Sequence, residues 1–146
     1  VPHAQELGVE HLVCEQPARL DYLDSLDALR QASALLLLGS SEPHYTPSKV
    51  FPALLAGRPM LGVYRRESSV VDMLERAAPA PAAHLITFDE SRRVESLVGP
   101  IAEALQALIR TADQDVSIDR GALEPWSANT LAGRLAALCD RIAACR

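Results

Sequence analysis

The chain is 146 residues long, 49% hydrophobic and 23% charged, which is enough apolar material for one core and too much for a disordered tail. A formal net charge of -5 argues against nucleic acid or an anionic membrane as the main partner, so any anion site must be local. No stretch approaches the roughly 20 apolar residues that cross a bilayer, and no charged-then-apolar leader pattern opens the chain, so it reads as cytoplasmic.

"VPHAQELGVEHLVC" opens like the tail of a helix, with Gly8 as its cap and a strand candidate at 9–14. That start suggests a piece of a longer protein. "YLDSLDALRQA" (22–32) sets Leu23, Leu26 and Leu29 on one helix face. "ALLLLG" (34–39) is apolar throughout, as expected of a central strand covered on both sides. A helix from about Pro47 to Ala56 follows, burying Val50, Phe51, Leu54 and Leu55 and ending at Gly57 with Pro59 behind it. "MLGVY" (60–64) is a third strand, "SSVVDMLERAA" (68–78) a helix capped by Ser68 or Ser69, and "HLITF" (84–88) a fourth strand. Beyond Asp89-Glu90-Ser91, Leu97, Ile101, Leu105, Leu108 and Ile109 line a helix that Pro100 kinks or restarts. Residues 111–126 read as an extended connector, and 127–146 as a final helix aligning Leu131, Leu135, Leu138 and Ile142. Short apolar runs alternating with helical segments predict a single α/β domain: a Rossmann-like three-layer sandwich on a mainly parallel sheet of about four strands.

Cys14, Cys139 and Cys145 show no CxxC spacing and read as reduced structural residues. His3, His11, His44 and His84 are scattered without ligand spacing, so no metal site is expected.

The informative stretch is "SSEPHYTPSKVFPALLAGRP" (40–59), a polar loop between a strand and a helix start. Thr46 suits the cap and Pro47 the first helical position, while Ser48 and Lys49 follow in the first turn. Backbone N–H groups, hydroxyls and an ammonium can there converge on a diphosphate. The plainer reading is a solvated, well-capped helix start. Of 14 Lys plus Arg, every one but Lys49 is arginine, which favours a point-charge phosphate contact. Ligands of open α/β sheets bind outside the carboxyl ends of the strands, where this loop must lie. Ser41, Glu42, His44 and Tyr45 can reach a sugar or nucleotide ring, and Arg65, after the next strand, can join the same site. Arg66, Arg92 and Arg93 read as solvated surface.

The order "SALLLLGSSEPHYTPSKVFPALLAGRPMLGVY", then "ESSVVDML", resembles the donor-binding C-terminal domain of GT-B fold glycosyltransferases, above all bacterial enzymes with a "TPSK-F-x-LLAGRP" segment. The resemblance runs from about residue 5 to the end, and its specific part is 34–74. It implies the C-terminal half of a GT-B fold, a nucleotide-diphosphate sugar as substrate with no further cofactor, and a glycan or lipid acceptor held by an N-terminal domain. It also implies a cytoplasmic setting, peripheral at the inner membrane, and a fragment inactive alone. Matched residue by residue, Thr46, Ser48 and Lys49 fall to the phosphates and 42–45 to the sugar. Relatives carry two glutamates flanking this turn; aligned on Gly57-Arg58-Pro59, they fall here on His44 and Pro52, so the usual ribose grip is absent. A sugar-nucleotide epimerase shares the fold, and a non-catalytic interaction module is the alternative from outside enzymology. The family's sheet has two further strands beside 34–39. Without them, strand 9–14 is expected to move in beside 34–39, or the exposed edge to pair with a second copy as a homodimer.

Overall fold

The computed structural model describes residues 2–42 and 47–144. A short helix α1 (Pro2–Glu6) leads through Gly8, at φ +67°, into one 3-10 turn at Glu10–Leu12. α2 (Tyr22–Gln31) precedes β1 (Leu35–Leu38); α3 (Val50–Leu55) connects β1 to β2 (Met60–Arg65), and α4 (Ser69–Ala77) connects β2 to β3 (Ala83–Phe88). α5 (Val98–Arg110) and α6 (Ala128–Ala144) complete the chain. The fold is α/β, with three parallel strands in the order β1-β2-β3. Leu35 pairs with Met60 and Met60 with Ala83 at the start of the two ladders.

β2 is hydrogen-bonded on both edges, and its alternating side chains divide the core. Met60 and Tyr64 enter a cluster with Val50, Ala53 and Leu54 of α3 and Val70, Met73 and Leu74 of α4. Leu61 and Val63 point the other way, to Ile86, Phe88, Leu97 and Leu108, so α5 covers the opposite face. Helices therefore lie on both sides of the sheet. α4 owes its position to an apolar face of Val70, Val71, Met73, Leu74 and Ala77, all buried, and starts at Ser68, whose hydroxyl accepts from the Val70 amide at 3.3 Å. α3 ends at Gly57, whose φ of +66° suits glycine best.

Five expectations are corrected. The segment 9–14 forms no strand; it is a 3-10 turn and extended chain, exposed throughout, because its apolar residues find no sheet face to cover. The sheet accordingly has three strands, not four. β1 is an edge strand, unpaired on its outer side among the described residues. On its bare face Leu36 is 54% and Leu38 65% exposed, since α5 reaches only β2 and β3. Leu97, just before α5, and Ile101 and Leu108 within it pack inward, while Leu105 and Ile109 stay exposed. Cys14 and Cys139 are free but lie on the surface, not in the core.

The connector 111–126 proves to be a strap over the core. Val116 N–H donates to Gly57 O at 3.0 Å and Asp119 N–H to Ala77 O at 2.8 Å, which ties it to the ends of α3 and α4. Val116, Ile118, Ala122, Leu123 and Trp126 pack on the cluster beneath, and its last part is a 3-10 turn, Gly121–Trp126. Glu124 holds the root of α6 by accepting from Ser127 Oγ at 2.9 Å and Thr130 Oγ1 at 2.8 Å; those bonds lower its pKa, Thr130 contributing most. Among the described residues no helix is long and apolar enough to cross a membrane.

Leu74→Ala, in a fully buried position, should lower the unfolding free energy by about 2–5 kcal/mol, whereas Leu36→Ala, on the bare face, should cost under about 1 kcal/mol. Urea denaturation of both variants measures the contrast; similar losses would mean that the β1 face is covered.

Candidate functional site at the carboxyl edge of the sheet

Because all three strands are parallel, their exits lie along one edge: Gly39 to Glu42 after β1, Arg65 to Ser68 after β2, Asp89 to Arg92 after β3. The first exit is fixed by a close contact. Gly39 N–H donates to Val63 O at 2.8 Å, and a Cβ at Gly39 would stand 2.5 Å from Cδ1 of Tyr64, a ring only 2% exposed. Only glycine lets the backbone lie on that ring. Glu42 N–H then turns back to Ser40 Oγ at 3.1 Å, leaving the Glu42 carboxylate exposed.

Arg65 joins the three exits. Its Nη1 reaches Ser41 O at 3.5 Å, its Nη2 lies 3.8 Å from Glu90 Oε1, and its Nε lies 3.0 Å from Glu67 Oε2. The last contact lacks the alignment of a hydrogen bond, so this buried Nε–H, in a side chain 20% exposed, is held by the charge of the Glu67 carboxylate. Next to it, Arg66 Nε donates to Asp89 Oδ2 at 2.9 Å. Oδ1 of Asp89 accepts from Ser91 N at 2.8 Å, Ser91 Oγ at 2.6 Å and Arg92 N at 2.8 Å. These bonds, led by the Ser91 hydroxyl and Arg66, hold the Asp89 carboxyl far below its ordinary value of 3.8. Asp89 therefore shapes the turn after β3.

The 40–59 stretch is placed differently from its sequence reading. α3 starts at Val50, with Lys49 at the cap position and no side-chain capping bond. Pro47 to Lys49 form a loose turn before it, since Val50 N–H donates to Pro47 O at 3.2 Å and Phe51 N–H to Ser48 O at 3.4 Å. The helix is six residues long, and Val50 is 1% exposed, because that apolar side chain draws the first turn onto the core. Its dipole is correspondingly small. Ser48 and Lys49 are exposed, and the Lys49 ammonium has no ion-pair partner among the described residues. His44, Tyr45 and Thr46, expected at the sugar and phosphates, lie outside the described residues.

The edge thus brings together Ser41, Glu42 and Arg65, with Pro47, Ser48 and Lys49 on the segment that leaves the same edge. Reading by motif missed the carboxylates around Arg65 and the organising part of Asp89. The signal for Asp89 was present, since Asp-x-Ser after a strand is a turn-forming pattern. Counted over the described residues, the three exits and the segment after the first carry Lys49, Arg65, Arg66 and Arg92 against Glu42, Glu67, Asp89 and Glu90, and Arg65 and Arg66 already have carboxylate partners. Comparison with protein-family models, curated proteins and solved structures finds no match to this chain.

Two substitutions test this construction. Asp89 has a depressed folded-state pKa, so its contribution is complete above its unfolded value near 3.8 and is lost as pH falls through the lower folded value. Asp89→Asn should therefore flatten the loss of stability on acidification below about pH 4, read as Tm against pH. Gly39→Ala should cost about 1–3 kcal/mol by overpacking against Tyr64, measured by chemical denaturation; a neutral outcome would show that the ring yields freely.

Proposed function

We propose that this chain is the donor-binding domain of a GT-B type glycosyltransferase, which takes a nucleotide-diphosphate sugar and delivers the sugar to a glycan or lipid acceptor held by a further, N-terminal domain. The observation that carries the reading is Arg65 at the carboxyl edge of a parallel sheet, across the loop from Ser41, its Nε 3.0 Å from Glu67 Oε2 without the alignment of a hydrogen bond. With the Lys49 ammonium, which has no ion-pair partner among the described residues, it provides two cationic donors at the carboxyl edge. An oxyanion there would take a directed N–H from Arg65 and the charge of Lys49.

The division of work follows from the side chains. Lys49 acts as a point charge toward the diphosphate, and Ser48 with its neighbouring amides offers neutral donors. Arg65 supplies a directed N–H, and the diphosphate must compete with Glu67 and Glu90 for that guanidinium. Affinity for free nucleotide is therefore low, and the leaving diphosphate is stabilised without a metal. Glu42, exposed on the same loop, stands in for the acid that relatives use on the ribose. With no base and no acceptor pocket of its own, the domain binds donor and leaves the acceptor side to the rest of the enzyme. It works on the cytoplasmic side, peripheral to the inner membrane.

A specific observation also favours a second reading, that of a non-catalytic interaction module: the apolar side chains of β1, α5 and α6 left open to solvent.

Thermal-shift and amide chemical-shift titrations with UDP, GDP, ADP and CMP separate the two. The donor-binding reading expects one nucleotide to perturb residues 39–42, 48–49 and 65–68, with Kd weakened at least about tenfold in Lys49→Ala and in Arg65→Lys. Absence of any response up to about 10 mM would sink it, since even a millimolar site registers at that concentration.

A further inference from the structure

Among the described residues, the final helix presents an apolar face against which nothing is packed. α6 meets the body chiefly at its root, through the 3-10 turn that ends at Trp126, and none of its described residues is buried. Leu131, Leu135, Leu138 and Ile142 are 49%, 62%, 44% and 57% exposed. Their spacing of four, three and four is a heptad seam, with Leu131 and Leu138 at one core position and Leu135 and Ile142 at the other. At 100° per residue the four fall within about 60° of the helix surface, the narrow stripe that takes another helix.

Charge decides what kind of helix. Arg134 and Arg141, one heptad apart, stand on the same flank of the seam, and neither has an ion-pair partner among the described residues; the opposite flank is Ala132 and Cys139. Self-pairing does not answer this. An antiparallel pair of α6 helices sets Arg134 of one copy against Arg141 of the other, and a parallel pair sets Arg134 against the neutral Cys139. A bilayer surface suits it no better. Interfacial helices present a broad apolar face with aromatic anchors and a strongly charged back, whereas the back of α6 is Asn129, Gly133, Ala136, Ala137 and Asp140.

We propose that α6 is a docking arm for an amphipathic helix of a partner whose apolar heptad seam is flanked by acidic residues, placed to pair with Arg134 and Arg141. The seam supplies the affinity and the two arginines choose the partner's charge. With only two heptads the association is weak, in the range of about 10–500 μM, as for interfaces below about 1,200 Å² in total. The arm contributes nothing to the two cores, so its apolar residues can be changed without unfolding the body.

The probe is a three-heptad synthetic peptide with leucine at both seam positions and glutamate on both flanks, titrated into the isotope-labelled chain, with a twin peptide carrying lysine in place of glutamate. The glutamate peptide is expected to shift the amides of α6 and to bind at least tenfold more tightly than its twin. Arg134→Glu combined with Arg141→Glu should reverse that order. Leu135→Asp should abolish binding of both peptides while the resonances of the sheet stay in place. Equal binding of the two peptides, or no shift in α6, overturns the proposal. So does sedimentation of the free chain as a dimer that Leu135→Asp dissolves, or binding of α6 to vesicles with one-fifth anionic lipid in preference to the peptide.

Discussion

The structure depends on one strand that is covered on every side. β2 carries both ladders of the sheet and sends Met60 and Tyr64 into the core beneath α3 and α4, and Leu61 and Val63 into the core beneath α5. Gly62, between them, sits where a Cβ would lie 3.0 Å from Leu74 Cδ1, so α4 packs tightly on the strand. Backbone groups buried this deeply need their ladder partners on both edges. Pairing to β1 and β3 and burial on both faces therefore support one another, and every other element takes its place from that strand.

The carboxyl edge follows from this arrangement. Parallel pairing aligns the three exits, and Gly39 resting on the buried Tyr64 ring sets the height at which the first loop leaves. Arg65, the last residue of β2, then reaches both neighbouring exits, through Ser41 on one side and Glu90 on the other. Its surroundings are more acidic than an anion site in open solvent would tolerate, and the helix behind it is too short to add much field. What chemistry the edge has lies in individual donors, the Arg65 Nε–H and the Lys49 ammonium, more than in an overall positive potential.

The outer surfaces show the reverse of β2. Leu36 and Leu38 alternate with Leu35 and Leu37 along a strand that is apolar at every position, yet only the inward pair finds a helix to pack against. α5 and α6 likewise each have more apolar surface than the body covers. Exposed side chains of this kind, gathered on an edge strand and two helices, leave apolar surface open on the described residues.

Elements whose reasons are local were legible in the sequence. Ser68 capping α4, Gly57 ending α3, the 3.6-residue period of α4 and the apolar runs of β1, β2 and β3 each depend on a few neighbouring residues, and each was read with its type and nearly its limits. The position of the carboxyl edge also followed, because strand, polar loop and helix in succession leave little choice of topology. Other features depend on who covers whom. "LLLL" and "MLGVY" are equally apolar, and only the number of helices available makes the second a core strand and the first an edge. "VEHLVC" has the composition of a strand and no face to join. Val50 draws the start of α3 to itself and moves Lys49 outside the helix that its neighbours Thr46 and Pro47 announce. The carboxylates around Arg65 and the strap of 111–126 across α3 and α4 join residues that are distant in sequence, and such contacts are set by burial of the whole chain. The sequence by itself therefore determined the parallel α/β units and the edge from which their loops leave; tertiary packing alone decided the strand count, the partners of Arg65 and which apolar faces stay open, because these depend on the area left to bury once β2 is enclosed.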